Sequence, residues 1–413
     1  MARRRFTAIL HLGIHKTGST AIQTFAWLNR EQLLDRGVLY PRTACTDPDS
    51  RLYDHNLLYC DLHSHTDAMR AELAESGAHT LLLSGEDLLY VWKKGRGLPR
   101  IRDRAAAMDL RHWLHGLGAR TFRLIIYLRE PIALLDSFYS QALKNGIAPP
   151  HSCPLPKLYH PLLNVQALLQ PWLEVFGREA VAVRLYEFSH DGGQPLLQDF
   201  LQALDLNPDA VQGWQFPPRV NTALNLLEME VLRSLNVRRP AVVWLPHTPR
   251  GRLYALIRRH LACPGDPALC YAPSMAAREW VLKHCTGGLE WVRATFFPER
   301  PHLFEPFPAA PENHTLRQLT PAHAAALASL LMAAAGMGSA PQPGGSAAAW
   351  LQQRCPAAHS ALQLLTCRQD PDSPPPPAPP PVTPRLWSEL AEVLCAAEDE
   401  LSAPLLMAAG ASG

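Results

Sequence analysis

Three stretches of this chain are largely apolar and do not alternate with polar residues, which leaves few folds open to it. They cover residues 6–12, 80–83 and 121–128, and a fourth run covers 180–186. Strands that are buried on both faces have this character, as they do in parallel sheets. Helical patterns lie between and after them, at residues 20–34, 104–117, 132–144, 194–204, 223–235, 276–294 and 322–335. Buried strands that alternate with helices predict an α/β fold with a central parallel sheet and further helices toward the C-terminus.

Composition narrows the class of protein. The 413 residues suffice for one large domain or two ordinary ones, and a hydrophobic fraction of 47% is enough for a core. The formal net charge of +2 argues against a protein that binds nucleic acid through a generally basic surface. Residues 370–413 hold seven acidic residues and one basic residue, so the C-terminal end is acidic and the rest of the chain is basic.

The cysteines and the N-terminal residues indicate the cellular compartment in which we expect the protein. Nine cysteines are scattered without a CxxC pair or a His/Cys cluster at zinc spacing. Residues 1–13 resemble a signal peptide only superficially, because their apolar stretch is short and no small-residue cleavage site follows. No run approaches the ~20 apolar residues that span a bilayer. We therefore expect a cytoplasmic protein with reduced thiols and no membrane span.

Residues 13–20, which follow the first apolar run, form a loop suited to an anion. Gly13 and Gly18 allow tight turns and a close approach of the backbone, and the N–H groups that open the next helix favour negative charge. Lys16 adds a movable positive charge. Three hydroxyls stand beside it, at Thr17, Ser19 and Thr20. In a Walker A loop, GxxxxGK[ST], the lysine follows the last glycine, whereas Lys16 precedes Gly18 by two residues.

The stretch HLGIHKTGSTAIQ, residues 11–23, resembles the 5′-phosphosulfate loop of sulfotransferases that use 3′-phosphoadenosine 5′-phosphosulfate (PAPS), in its bacterial form. The resemblance covers roughly residues 5–236. It implies a three-layer, P-loop NTPase-like α/β fold, with PAPS as the donor co-substrate and no metal requirement. It also implies that the donor is bound by Gly13, Lys16, Thr17, Gly18, Ser19 and Thr20.

A second segment, RLIIYLREPIALLDS, resembles the part of the same family that binds the 3′-phosphate. There an arginine is followed eight residues later by a serine, and the matching residues here are Arg129 and Ser137. Arg129 follows the third apolar run, where a planar guanidinium suits a phosphate. Taken alone, Arg129 could instead pair with Glu130, and Ser137 could be an ordinary helix-surface hydroxyl.

The second apolar run ends in Ser84-Gly85-Glu86, which brings a carboxylate to the predicted cleft. Ligands of open parallel sheets bind outside the carboxyl ends of the strands, so we expect Lys16, Glu86 and Arg129 to lie near one another. The resemblance implies that Glu86 is the general base. Glu86 could also cap the following helix or pair with a lysine. His15 and His11 are rival bases, and Asp87 is the nearest competing carboxylate.

Two later segments add to the resemblance. Residues 181–206 look like the strand-to-helix stretch of the family that carries a Tyr-Glu pair, here Tyr186-Glu187. Residues 217–236 look like its late helix start, where Arg219 and Asn221 could reach the nucleotide. A helix N-cap at Asn221 or Thr222 explains the second segment equally well.

Beyond this region the chain divides by composition. We predict a catalytic domain over 1–320, an Ala-rich helical extension over 321–369, a proline-rich linker over 370–385 and an acidic amphipathic helix over 386–413. Nine prolines in residues 371–384 predict polyproline II structure. The final helix carries an apolar stripe that could dock on its own domain or bind a protein partner.

These observations predict a PAPS-dependent sulfotransferase that acts on a hydroxyl, with a carbohydrate as first candidate acceptor and a small metabolite, lipid or phenol as alternatives. A P-loop kinase or NTPase is the first alternative class. The position of Lys16 and the absence of a Walker-B-like aspartate in the sequence count against it. A non-catalytic nucleotide-binding scaffold is the second alternative, and the intact Lys16, Arg129 and Ser137 count against that one.

Overall fold

A computed structural model describes residues 5–49, 52–92, 99–149, 161–187, 194–208, 211–217, 223–243, 247–305, 312–335, 356 and 382–410. The chain divides into two compact units. The first comprises Met1–Leu135, Pro156–Thr222 and Glu279–Pro308, and the second comprises Asp136–Leu155, Ala223–Arg278 and Ala309–Gly413. In the described part of the chain, no helix combines the length and apolar character that a membrane crossing requires.

A five-stranded, wholly parallel sheet forms the centre of the first unit. Its strands are β1 (Phe6–Gly13), β2 (Val38–Leu39), β3 (Thr80–Ser84), β6 (Ala119–Leu128) and β7 (Val181–Leu185). They lie in the order β2-β3-β1-β6-β7, so the first strand of the chain is central. A separate antiparallel pair consists of β4 (Tyr90–Trp92) and β5 (Pro99–Ile101). The α/β prediction with a central parallel sheet is therefore confirmed.

Both faces of the sheet are buried, which explains why its strands read as continuous apolar runs. One face packs on α1 (Ser19–Leu28) and α7 (Gln194–Ala203) in a single core cluster. Ala8 and Leu10 of β1 lie on the opposite face of the sheet, and both are also fully buried. Burying a leucine or isoleucine side chain contributes about 1.5–3 kcal/mol, so this cluster stabilises the first unit. The cluster includes Ile9, Ile22, Phe25, Leu82, Ile125, Tyr127, Leu196 and Phe200.

The remaining helices of the first unit connect the strands. They are α2 (Arg30–Asp35), α3 (Thr66–Ser76), α4 (Arg104–Leu117) and α6 (Val165–Phe176). Contacts link α4 with β6, α6 with β7, and α4 with α6. The boundary between the units falls within α5 (Pro131–Lys144) and again within α10 (Met275–Phe296).

The second unit is helical. It contains α8 (Leu226–Arg238), α9 (Pro249–Leu261), α11 (Pro321–Ala335) and α12 (Pro384–Gly410). The C-terminal helix α12 packs against the other three, and its apolar stripe is buried. Leu390 and Leu394 have no exposed surface. The structure thus favours a helix docked within its own unit, and a protein partner for this segment stays a prediction.

Several elements differ from expectation. The helix predicted over 20–34 is two helices, because the chain breaks at Asn29, whose side chain donates to the carbonyls of Phe25 and Gln215. The helix predicted from 223 begins at Leu226, where Asn225 and Glu228 form a capping box. The two-residue strand β2 and the β4–β5 pair were missed. The proline-rich segment to residue 381 lies outside the described residues, and the linear division into domains stays a prediction.

Candidate functional site

The predicted site residues converge on the carboxyl edge of the sheet because three adjacent parallel strands end there. His11 of β1 lies opposite Ser84 of β3, and Gly13 lies opposite Ile126 of β6. The segments that follow these strands carry Lys16, Glu86 and Arg129 respectively. Parallel strands in this order must deliver their loops to one edge.

The loop after β1 is held in an unusual backbone conformation. Gly13, Lys16 and Gly18 have φ values of 80°, 69° and 80°. Such values suit glycine but strain a lysine, which indicates that the surrounding contacts hold Lys16 in place. Two hydrogen bonds fix the loop: Ile14 N–H donates to Tyr127 O at 3.1 Å, and Thr17 Oγ1 donates to Ile14 O at 2.6 Å. The Thr17 side chain is fully buried, so its hydroxyl acts inside the loop.

Helix α1 begins directly after this loop with a cap suited to an external anion. Gly18 is the N-cap residue, in the left-handed region and without a side-chain hydrogen bond to the helix. Most helices are capped by Ser, Thr, Asp or Asn, whose side chains accept the first N–H groups. With glycine there, a bound phosphate or sulfate can take that role. A β-carbon at Gly18 would collide with Leu196, and Tyr186 lies beside it.

Arg129 contacts the loop directly. Its Nη1 donates to the backbone carbonyl of Lys16 at 2.8 Å, and its guanidinium lies 5.3 Å from the ring centroid of Tyr186. The side chain is half-buried, so part of the guanidinium faces the surroundings. Glu130 turns to its own helix and accepts from the N–H groups of Ile132 and Ala133. The Arg129–Glu130 salt bridge considered as an alternative is therefore not formed.

Glu86 lies against the loop from the other side. Its Cγ would be 2.7 Å from a β-carbon on Gly13, so only glycine leaves room for it. Gln23 Nε2 donates to its Oε2 at 3.0 Å. Burial by itself raises the pKa of Glu86, but the nearby His15 and the polar groups of Ser19 and Gln23 outweigh it and lower the pKa. Glu86 is therefore ionised at neutral pH.

His15 has its own partner at the site. Its Nε2 lies 3.1 Å from Asp87 Oδ1, and its ring stacks on Tyr90 at a centroid distance of 5.5 Å. Its side chain is 22% exposed, compared with 7% for Glu86 as a residue. The structure thus places both predicted bases at the same edge, one buried and one partly open.

His11 is a core residue. It is fully buried, its Nδ1 is 2.7 Å from Ser84 Oγ, and its ring contacts those of Tyr127 and Phe200. Burial lowers its pKa to about 4, against a smaller opposing effect of Glu86, so it is neutral at physiological pH. These surroundings argue against His11 as the proton acceptor.

For the other predicted ligands, a role in binding stays a prediction. Ser137 is half-buried on α5 and belongs to the second unit, so its pairing with Arg129 stays a prediction. Arg219 and Asn221 lie outside the described residues. Thr20 is exposed on the first turn of α1. The two residues of the Tyr-Glu pair have different partners. Tyr186 lies beside Arg129, whereas Glu187 forms an ion pair with Arg300.

Two neighbours of Glu86 were missed by sequence reasoning. Gln23 has a local signal, since it follows Ser19 by four residues and so shares its helix face. The other neighbour is residues 54–56, for which we find no local signal. His55 pairs with the end of β3 through one backbone and one side-chain hydrogen bond: its N–H donates to Ser84 O at 2.7 Å, and its Nδ1 accepts from Ser84 N–H at 3.1 Å. Asn56 Oδ1 accepts from Asp87 N–H at 3.0 Å.

Residues 54–56 make hydrogen bonds to the end of β3 that a longer β2 would otherwise make. The short β2 pairs only with Thr80 and Leu81, so the last residues of β3 need another partner on that side. His55 supplies it, and its Nε2 donates to Pro41 O at 3.1 Å. This arrangement fixes the backbone on which Glu86 is mounted. Among the residues that the structure describes, no group of His, Cys, Asp and Glu side chains could hold a metal ion.

Comparisons with known proteins give little for this chain. No family model matches it, and no curated protein matches it. It is similar to the crystal structure of a sulfotransferase from Alicyclobacillus acidocaldarius, with 18% sequence identity and a TM-score of 0.30. The match covers 56% of this chain and 92% of the other. A TM-score this low supports no inference about fold or chemistry.

Proposed function

We propose that this protein is a sulfotransferase that moves the sulfuryl group of PAPS to an acceptor hydroxyl. One observation carries the proposal: the ionised Glu86 packs directly against Gly13 of the anion-binding loop. A group that can accept a proton therefore adjoins a loop that can bind the leaving phosphate. Sulfuryl transfer from a phosphosulfate to a hydroxyl needs both functions side by side.

The groups around the loop suit a donor with two anionic ends. Backbone N–H groups at the start of α1 and the Lys16 side chain would receive the 5′-phosphosulfate. Arg129 supplies a guanidinium for a second phosphate, and the resemblance at residues 123–137 supports the 3′-phosphate as its ligand. Holding this phosphate would let the site discriminate against ATP, which lacks it.

In the proposed reaction, Glu86 takes the proton of the acceptor hydroxyl while its oxygen attacks sulfur in line. The new oxygen–sulfur bond forms, the sulfur–oxygen bond to the 5′-phosphate breaks, and adenosine 3′,5′-bisphosphate leaves. Lys16 and the loop N–H groups oppose the negative charge that grows on the bridging oxygen, so they help most in the transition state. General base catalysis of this kind typically contributes ~10²–10⁴-fold. We propose a carbohydrate or a small metabolite as the acceptor.

Calorimetry tests the donor assignment. Adenosine 3′,5′-bisphosphate should bind without added metal, and more tightly than ADP with Mg²⁺. The reverse preference would indicate a P-loop kinase or NTPase. Incubation with radiolabelled PAPS and a panel of glycans and hydroxylated metabolites should then label an acceptor, and Lys16→Ala should abolish labelling. Nucleotide binding without transfer to any acceptor would favour the non-catalytic scaffold.

A further inference from the structure

Gln23 has no role in the proposed reaction, yet it is buried at the site. It lies on the second turn of α1 and is 5% exposed. Its Nε2 is 3.0 Å from Glu86 Oε2, across 63 residues of sequence. Burying a primary amide without hydrogen-bond partners costs free energy, so a glutamine at a buried helix position indicates a specific partner. Here that partner is the carboxylate assigned as the base.

The contact couples Glu86 to the helix that opens at the anion-binding loop. Gln23 donates to the Glu86 carboxylate from α1, and Ser19 precedes it by one helical turn. Residues at this spacing face the same direction. Helix α1 thus presents the Gln23 amide to Glu86, while Gly13 lies against the methylene groups of the same side chain. Donors to an ionised carboxylate form stronger hydrogen bonds than donors to a neutral group.

We propose that Gln23 is a positioning residue, which fixes the orientation of the Glu86 carboxylate and keeps it ionised. This inference rests on the proposed function in one respect, namely that Glu86 accepts the acceptor proton. With Oε2 held by the Gln23 amide, the proton from the acceptor goes to the other oxygen, Oε1. Removing the amide N–H frees the carboxylate to rotate. It also destabilises the ionised form of Glu86 relative to the protonated form, so the pKa of Glu86 rises.

Other groups also act on Glu86 and must be separated from Gln23. His15 acts on it from the loop, His11 from β1, Asp54 and Tyr40 from the segments after β2, and Tyr90 from its own segment. The histidines favour the ionised form when protonated, and the Asp54 carboxylate disfavours it. None of these groups changes in a Gln23 substitution, so a comparison of variants at a common pH isolates the amide.

The test uses Gln23→Leu, which preserves size and removes the donor, with Gln32→Leu on α2 as the matched control. We expect Gln23→Leu to lower kcat/KM about tenfold at acid pH, the scale of one hydrogen bond to a charged group, with a smaller loss at pH 8. Affinity for adenosine 3′,5′-bisphosphate should stay unchanged. A loss of activity that is equal at every pH would overturn the proposal, since it would indicate only a structural role.

A second measurement needs no turnover. Carboxyl-carbon NMR of protein labelled at its glutamates, with Glu86→Gln to assign the resonance, reports the titration of Glu86 directly. Its midpoint should move to higher pH in Gln23→Leu and not in Gln32→Leu. An unmoved midpoint would refute the inference whether or not the protein transfers sulfate. Failure to bind adenosine 3′,5′-bisphosphate would instead refute the proposed function. The NMR titration would still test whether Gln23 acts on Glu86.

Discussion

Arg129 donates a hydrogen bond from Nη1 to the backbone carbonyl of Lys16 at 2.8 Å, across 113 residues of sequence. Both residues were predicted to bind one donor from opposite ends, and here they are also bound to each other. The contact gives Arg129 a structural role beside its proposed one, because its guanidinium restrains Lys16, which has a positive φ. Loss of Arg129 should therefore affect the loop as well as the second phosphate.

Arg129→Ala should weaken the binding of adenosine 3′,5′-bisphosphate by roughly 10–100-fold, the scale of a charge-assisted hydrogen bond. Arg129→Lys keeps the positive charge but lacks the paired N–H donors of a guanidinium, so we expect an intermediate loss of affinity. Calorimetry measures both. The control is Arg120→Ala, at the opposite end of the same strand β6, which should leave the affinity unchanged. Equal affinity of wild type and Arg129→Ala would remove Arg129 from the donor site.

Gly13→Ala should disable the site, since its β-carbon would meet Glu86 Cγ at 2.7 Å and its φ of +80° disfavours any side chain. The expected loss of stability is about 1–3 kcal/mol, because a left-handed residue and an overlap must both be accommodated. Thermal or urea unfolding measures it. Gly116→Ala on α4 meets nothing within 4 Å and should be neutral or stabilising. Similar effects of the two substitutions would contradict the contact between Gly13 and Glu86.

Two buried histidines should make the first unit sensitive to acid. Burial lowers the pKa of both His11 and His55 from 6.5 to about 4. Between pH 6.5 and 4 the unfolded chain binds protons that the folded chain does not, so the free energy of unfolding falls as the pH falls through this window. At the acid end of this window, each histidine lowers the free energy of unfolding by about 3 kcal/mol.

Urea unfolding at a series of pH values checks this dependence. His55→Gln should be less stable than wild type near neutrality, since it loses the imidazole bonds to Ser84 N–H and Pro41 O, but its stability should depend less steeply on pH between 6.5 and 4. His112→Gln, at an exposed position on α4, should keep the wild-type slope. A His55→Gln curve parallel to that of wild type would show that His55 is not buried in its neutral form.

A buried ion pair holds the C-terminal helix in the second unit. Arg250 is 2% exposed, and its Nε and Nη2 donate to the two carboxylate oxygens of Glu398 at 3.0 and 2.8 Å. Its Nη1 donates to Asn236 Oδ1 at 3.0 Å. Removing one partner leaves an uncompensated buried charge, so Glu398→Ala should destabilise this unit by about 3–5 kcal/mol.

Limited proteolysis and thermal unfolding measure the loss. The control is Glu389→Ala, which removes a pair with the largely exposed Arg385 and should cost less than about 1 kcal/mol. If Glu398→Ala releases α12 and sulfate transfer is unaffected, the helix is accessory to the proposed activity. Unchanged unfolding in Glu398→Ala would mean that α12 does not dock through this pair.

The parallel sheet and its loop could be predicted from the sequence because their signals are local. A strand buried on both faces must be apolar throughout, and an anion-binding turn needs glycines at fixed offsets from a lysine. The carboxyl-edge position of Glu86 follows from the same reasoning, since parallel strands end together. His11 lies on the same run, but sequence alone could not tell that it packs against Tyr127 and Phe200 and so is a core residue.

The surroundings of each site residue depended on contacts distant in sequence. Gln23 reaches Glu86 across 63 residues, and His55 supplies the end of β3 with hydrogen bonds that β2 is too short to make. A local pattern can place Gln23 on the same helix face as Ser19, but it does not name the partner across the chain, because burial and hydrogen bonding are satisfied by whichever segment the folded chain brings alongside. The residue types set the chemistry available at the edge of the sheet, and tertiary packing decided that Glu86 is buried against the loop, that His11 is a neutral core residue and that the Gln23 amide contacts the Glu86 carboxylate.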